Sequence, residues 1–211
     1  MNLYSSFLEK FTTKKKLVFD NSIYSYKNFK DNVDWVSFFL NKFKHKRKIL
    51  VLIDSPYHLG VFLLSVAKSG KTIIPINKDL KENQILEQIL YTSPDIIIYS
   101  KNFKRIVSKA KKSLLICEDD IFNDISKKKL KNDKTISTVN HLNNDFIITF
   151  SSGTTSKPKP IIFTQKIKLE RYKHIKKLYN IKKKDVIFTS SPLDHSLGQR
   201  LFFLAILTGC K

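Results

Sequence analysis

The chain has 211 residues, of which 42% are hydrophobic and 27% charged, so its composition is that of a folding protein and excludes a disordered one. A formal net charge of +21 raises the question of nucleic acid, but the basic residues are nearly all Lys. Proteins that read phosphates and bases depend on the planar, bidentate fork of Arg. We therefore do not expect nucleic acid to be a partner, and a basic nucleic-acid-binding protein is the weakest functional hypothesis.

The chain shows no sign of a membrane span or a secretion signal. No apolar run approaches the ~20 residues that a membrane helix needs, and the first ten residues contain no long apolar stretch. Cys117 and Cys210 are far apart and match no metal-binding spacing. We predict a cytoplasmic protein in which Cys117 is buried in a strand.

The first predicted elements are a hairpin and an amphipathic helix. Strands at 17–19 and 23–26 flank a turn at 20–22, where Asp, Asn and Ser are typical turn residues. Apolar positions between Phe29 and Leu40 recur at helical spacing and predict one buried helix face.

A continuous apolar run at 49–53 with β-branched members predicts a buried strand. Ser55, followed by Pro, predicts the N-cap and first residue of a helix, and Gly70 predicts where that helix ends. Residues 72–76 predict the next strand. Pro75 places that strand at a sheet edge, or stands at the end of the strand itself.

The rest of the chain continues to alternate between helices and strands, which indicates α/β architecture. Helices are predicted at 82–91, at 169–178 and from 196 onward. The further predicted strands are 95–99, 113–117, 146–150, 161–163 and 185–189. Residues 122–144 are polar and predict a surface connector.

The most informative stretch joins the strands at 146–150 and 161–163, and reads SSGTTSKPK over 151–159. Gly153 lets the backbone approach a ligand closely, and exposed amides in such a loop can bind an anion. Hydroxyls add hydrogen bonds, and Lys157 or Lys159 supplies positive charge. Composition alone favours an exposed polar loop without a ligand, and neither the Walker pattern nor G-x-G-x-x-G can be written here.

The order of residues in this loop resembles the signature [ST]-S-G-[ST]-T-G-x-P-K of adenylate-forming enzymes, which include acyl-CoA synthetases, amino-acid adenylation domains and luciferases. Ser156 departs from it, because it stands where the family usually has Gly, and this restricts a positive φ. The matching positions are Ser151, Ser152, Gly153, Thr154, Thr155, Pro158 and Lys159. The resemblance implies that the phosphates of ATP bind to Ser151, Ser152, Gly153, Thr154, Thr155 and Lys159.

The resemblance extends over nearly the whole chain. Ile23 to Tyr26 looks like the family's early "YTY" element, and Val51 to Pro56 resembles its strand and turn. Ala67 to Gly70 carries a "K-x-G" helix end, and Pro75 to Asn77 a "P-[IL]-N" segment. It implies an α/β fold, namely the N-terminal part of the family's large domain, with mixed and parallel sheets flanked by helices.

A second stretch, 191–199, resembles the family's "P-L-x-H-x-x-G" element. The resemblance implies that His195 lines the acyl pocket near the carboxylate without acting as a base. The alternative is that His195 caps or packs beside the helix that starts near Ser196. We do not expect Asp194 to present its side chain to its neighbour His195. No catalytic residue and no metal ligand is assigned within this chain.

The implied activity joins a carboxylic acid to ATP with help from Mg²⁺, giving acyl-AMP and pyrophosphate. The acyl group then passes to coenzyme A or to the phosphopantetheine of a carrier protein. The family's later "Y-G-x-T-E" segment, its ribose-binding Asp and its C-terminal lid with the adenylating Lys are not found in this sequence. We therefore predict that 1–211 is a truncated N-terminal portion of an AMP-binding domain, whose partner is a missing C-terminal half.

Two functional hypotheses follow from the resemblance. The first is the front portion of a ligase, with little activity on its own. The second is a non-catalytic remnant or binding module that retains the fold. In either case we expect the apolar stretch 201–207 to be left partly uncovered.

Overall fold

The computed structural model describes residues 2–11, 15–127, 141–151 and 158–210. The helices are α1 Leu3–Lys10, α2 Tyr26–Asn41, α3 Pro56–Ser69, α4 Glu82–Thr92, α5 Lys104–Val107, α6 Glu118–Lys127, α7 Gln165–Leu178 and α8 Ser196–Thr208. The strands are β1 Lys16–Phe19, β2 Ser22–Ser25, β3 Lys48–Leu52, β4 Thr72–Pro75, β5 Ile96–Tyr99, β6 Leu114–Cys117, β7 Asp145–Phe150 and β8 Pro160–Thr164.

The main sheet has six strands in the order β6-β5-β3-β4-β7-β8. The first five strands of that order run parallel, and β8 pairs antiparallel with β7, so the sheet is mixed. Strands β1 and β2 form a separate antiparallel hairpin. The predicted α/β class is therefore confirmed.

Helices cover both faces of the main sheet, because alternate residues of β3 enter two different hydrophobic clusters. Ile49 and Val51 belong to a large cluster that includes side chains of α1, α2, α3 and α8. Leu50 and Leu52 belong to a smaller cluster with side chains of α4 and α5. A strand that is buried on both faces carries the continuous apolar run seen in this sequence.

The local signals around α3 act as predicted. The Ser55 hydroxyl accepts a hydrogen bond from the backbone N–H of His58 at 3.2 Å, and Gly70 ends the helix with φ of +66°. Pro75 is the last residue of β4, which lies between β3 and β7. Of the two alternatives for Pro75, the strand end is confirmed and the sheet edge is wrong.

Residues 185–189 do not form the predicted strand. Val186 and Phe188 are 70% and 85% exposed, and no strand in the described part of the chain lies beside them. Strand formation requires a neighbour that accepts and donates backbone hydrogen bonds, so β-propensity alone is not sufficient here.

Two other predictions need correction. The polar stretch from residue 122 begins inside α6, whose acidic first turn at 118–120 favours a helix N-terminus. Residues 128–140 lie outside the described residues. Cys117 ends β6, which is an edge strand, so its thiol is half-buried rather than buried.

Helix α1 was not predicted from the sequence. The Asn2 side chain caps it by accepting from the backbone N–H of Ser5 at 2.8 Å, and Leu3 and Phe7 are fully buried. Helix α1 packs against α8, and the Tyr26 hydroxyl donates to the carbonyl of Cys210 at 2.9 Å. These contacts bury all of 202–207, so the expected exposure of the stretch 201–207 is wrong.

None of the described helices is long and apolar enough to cross a membrane.

Candidate functional site

The described part of the hydroxyl-rich loop is its base. The backbone N–H of Ser151 donates to the carbonyl of Lys159 at 2.9 Å, and the backbone N–H of Lys159 donates to the Ser151 hydroxyl at 3.2 Å. These two bonds extend the β7–β8 pairing by one residue on each strand and close the loop. Lys159 is exposed. Ser152, Gly153, Thr154 and Thr155 lie outside the described residues, so their phosphate-binding role remains a prediction.

The loop leaves the carboxyl edge of the parallel strands, because Ser151 directly follows β7. Asn77 lies at the same edge, two residues after β4, which is the parallel neighbour of β7. Ligands of open α/β sheets bind outside the carboxyl ends of the strands. The loop base and the end of β4 therefore mark a candidate binding edge.

His195 reaches this edge from the start of α8. It occupies the N-cap position, yet its side chain makes no capping hydrogen bond. Its Nε2 atom lies 3.3 Å from Nδ2 of Asn77, and the side chain is 56% exposed. The half-exposed ring is thus directed to the end of β4 and is accessible to solvent.

Asp194 contacts His195, contrary to our expectation for neighbouring residues in a turn. Its Oδ2 atom lies 3.6 Å from His195 Nε2, and its side chain is only 12% exposed. Burial raises the pKa of the Asp194 carboxyl, and the charge of His195 opposes that rise. The pair joins a buried carboxyl to an open imidazole, which sequence spacing alone did not reveal.

Close packing fixes the turn that carries this pair. A Cβ atom at Gly198 would lie 2.1 Å from the carbonyl oxygen of Pro192 and 2.5 Å from that of Ser191. Only glycine lets α8 approach the turn so closely. The final position of the "P-L-x-H-x-x-G" pattern is therefore glycine in this structure because a side chain would not fit there.

The family model for AMP-binding enzymes matches residues 6–211. The chain belongs to the AMP-binding enzyme family.

Individual members of this family are distant from the chain in sequence. Gramicidin S synthase 2 of Brevibacillus brevis is 20% identical over 166 residues, which are 78% of this chain and 4% of that protein. The crystal structure of VinN aligns with all of this chain and 58% of its own, with 14% identity and a TM-score of 0.86. The N-terminal domain of FACL13 from Mycobacterium tuberculosis, solved with an inhibitor, is 12% identical, with a TM-score of 0.85 over 99% of this chain and 56% of its own. The chain thus spans a small part of the curated relative and little more than half of these structures.

A hydrogen-bond network with a structural role occupies another part of the carboxyl edge, at the ends of β3 and β5. The Ser100 hydroxyl accepts from the backbone N–H of Asp54 at 2.9 Å and donates to Glu118. Glu118 also contacts His58 Nδ1 at 2.7 Å. These bonds tie the ends of β3 and β5 to the starts of α3 and α6.

The described residues do not offer a metal centre. Among them, no group of three or more His, Cys, Asp or Glu side chains is arranged to hold a metal ion.

Sequence reasoning missed a buried lysine on α7. The side-chain amine of Lys168 donates to Oε1 of Gln199 at 2.8 Å and lies 4.3 Å from the centre of the Phe163 ring. Desolvation, together with the nearby positive charges of Arg171 and Arg200, lowers the pKa of Lys168 to about 7. The signal was present, because Lys168 has the helical spacing of the apolar face that includes Leu169 and Tyr172.

A hollow of about 900 Å³ lies beside α7 and α8. It is lined by the apolar side chains of Leu178, Val186, Phe188, Leu197 and Leu201. A small neighbouring cavity of about 10 Å³ reaches Lys168 and has room for about one water-sized group. The exposed apolar surface that we expected at 201–207 is therefore found mainly at 178–197.

Proposed function

We propose that this chain forms the ATP- and acid-binding front of an enzyme that converts a carboxylic acid into an acyl-adenylate. We further propose that the acyl group passes to coenzyme A or to a carrier-protein phosphopantetheine. The observation that carries the proposal is the loop base formed by Ser151 and Lys159 at the carboxyl edge of the sheet, in a member of the AMP-binding family. We place this enzyme in the cytoplasm, where Cys117 and Cys210 remain free thiols.

In the proposed reaction a carboxylate oxygen attacks the α-phosphorus of ATP and the bond to the β-phosphate breaks. Pyrophosphate leaves with the negative charge that develops in this step. The exposed ammonium of Lys159 and the hydroxyls and amides of 151–155 stabilise that charge, since preorganised donors act where charge develops. One solved structure that shares the fold is ATP-bound MatB from Rhodopseudomonas palustris, which supports ATP as the nucleotide.

We propose that His195 and Asn77 form one wall of the acid site. The half-exposed ring of His195 contacts Asn77 just beyond the end of β4, which supports a role in lining the site, and we propose no proton transfer by it. Solved structures with the same fold include VinN in complex with L-aspartate. A carboxylic acid is therefore the class of substrate that we propose.

The test compares Lys159→Ala with Lys173→Ala, a matched control on the exposed face of α7. We expect Lys159→Ala to weaken ATP binding, measured by calorimetry, by roughly ten- to a hundred-fold, which is the loss of one charge-assisted hydrogen bond. Lys173→Ala should bind ATP like the wild type. Equal affinities of all three proteins would contradict the proposed phosphate site.

Turnover is tested separately by ATP–pyrophosphate exchange with pooled carboxylic acids. The assay is run on the chain alone and on the chain extended by the sequence encoded after it. We propose that exchange needs the extension. Exchange by neither protein, together with ATP binding by both, would favour the second candidate, a non-catalytic binding module, which the serine at position 156 of the loop also favours.

A further inference from the structure

We propose that Lys168 is a positioning residue that acts through Gln199 to hold the turn presenting His195 at the binding edge. The importance of that turn for acid binding rests on the proposed function. The contacts that link Lys168 to the turn do not.

The first link is the bond between α7 and α8. Lys168 is 5% exposed and Gln199 is fully buried, and the amine donates to Oε1 of Gln199 at 2.8 Å. The amine also lies over the Phe163 ring of β8. Because both partners are buried, loss of the amine would leave the Gln199 oxygen without its donor in an apolar setting.

The second link runs from Gln199 to the turn. Its Nε2 atom donates to the backbone carbonyl of Asp194 at 3.3 Å, while its backbone N–H donates to the carbonyl of His195 at 3.0 Å. The Gln199 amide can accept from Lys168 and donate to Asp194 at the same time only when its oxygen faces the lysine. The lysine fixes that orientation, since it bonds only to the oxygen and thereby directs the nitrogen to Asp194.

The third link is the rigidity of the turn. The backbone N–H of His195 donates to the carbonyl of Pro192 at 3.1 Å, and Gly198 lets α8 press against this turn without space for even a methyl group. A shift of the Gln199 amide is therefore passed on to the backbone that carries His195, rather than absorbed by a gap.

A role in packing alone does not explain a lysine at this position. Burial and the charges of Arg171 and Arg200 both disfavour the charged amine. A methionine of similar length would fill the space without that cost. The amine has a use that the apolar side chain lacks, which is the bond to Gln199.

The test follows the imidazole signals of His195 by NMR in the whole chain, with the assignment made from their loss in His195→Gln. In Lys168→Met we expect the His195 signals to move from their wild-type positions. Lys71→Met is the matched control, because Lys71 is also 5% exposed but donates to the carbonyls of Phe43 and Lys46. It should leave the His195 signals in place.

A double variant separates positioning from stability. Lys168→Met with Gln199→Leu removes both polar partners, so the melting temperature should return towards that of the wild type. The His195 signals should stay displaced, because Gln199→Leu removes the side-chain donor to the Asp194 carbonyl. If they lie at their wild-type positions in the double variant, the positioning role is wrong.

Adding the pooled carboxylic acids to the wild-type chain tests the proposed function on its own. Failure of every acid to move the His195 signals would count against the acid site. The result of the lysine variants would stand, since it needs no ligand.

Discussion

The core built on β3 and α3 and the stretch from 179 to 197 differ in how completely their apolar side chains are covered. Around β3, each apolar run meets a partner: the strand is paired on both sides and covered on both faces. From 179 to 197, equally apolar residues such as Val186 and Phe188 remain at the surface. A hydrophobic pattern therefore predicts an element only where the neighbouring element is also present.

The largest expected effect lies in the core. Phe62 of α3 is fully buried and packs edge-on against Phe122. Phe62→Ala should lower the free energy of unfolding by about 3–5 kcal/mol, through lost transfer energy and the cavity left behind. Urea denaturation measures this change. A loss as small as that of a surface substitution would contradict the packing described for α3.

An intermediate effect is expected at Lys168 and depends on pH. Its folded pKa is about 7, below its ordinary value of 10.5, so between these values the unfolded chain binds more protons than the folded chain. The contribution of Lys168 to the free energy of unfolding should therefore rise with pH above 7, by about 2–3 kcal/mol between pH 7 and pH 9.

The measurement is the difference in unfolding free energy between the wild type and Lys168→Met at each pH. Other titrating groups occur in both proteins and cancel in that difference. If the free energies of unfolding of the two proteins change in parallel with pH, the Lys168 amine titrates in the folded chain as it does in water.

The smallest effect is expected in the exposed stretch. Phe188 is 85% exposed, so Phe188→Ala should change the free energy of unfolding by less than about 0.5 kcal/mol. The same denaturation experiment compares it directly with Phe62→Ala. A loss similar to that of Phe62→Ala would show that 185–189 is packed in solution, and the contrast between the two regions would disappear.

The sequence predicted the parts of the fold whose signals are local or whose partners lie nearby. The run 49–53, the cap at Ser55 and the left-handed Gly70 each follow from residue chemistry and were found in place. The failed strand at 185–189 depends on a neighbour that its own residues cannot reveal. The β-propensity is real, but pairing is a property of two segments.

The candidate site likewise contains residues that a sequence motif can indicate and residues that only a contact between distant segments reveals. The family resemblance of the loop predicted Ser151 and Lys159 as site residues, and a second resembling motif predicted His195. Lys168 and Gln199 were missed because their importance comes from a contact between two helices. A buried lysine leaves only a weak trace in sequence, as a polar residue on an apolar helix face, and most such residues are solvated.

The bond from Tyr26 to the carbonyl of Cys210 joins residues 184 positions apart, and it has a consequence for how the protein is made. Chains emerge from the ribosome beginning with the N-terminus, and domains complete their folding as units. The apolar face of α1 packs on both α3 and α8, so it is covered only in part until α8 has been made. During that interval Leu3 and Phe7, which are fully buried in the finished fold, remain accessible to a nascent-chain chaperone.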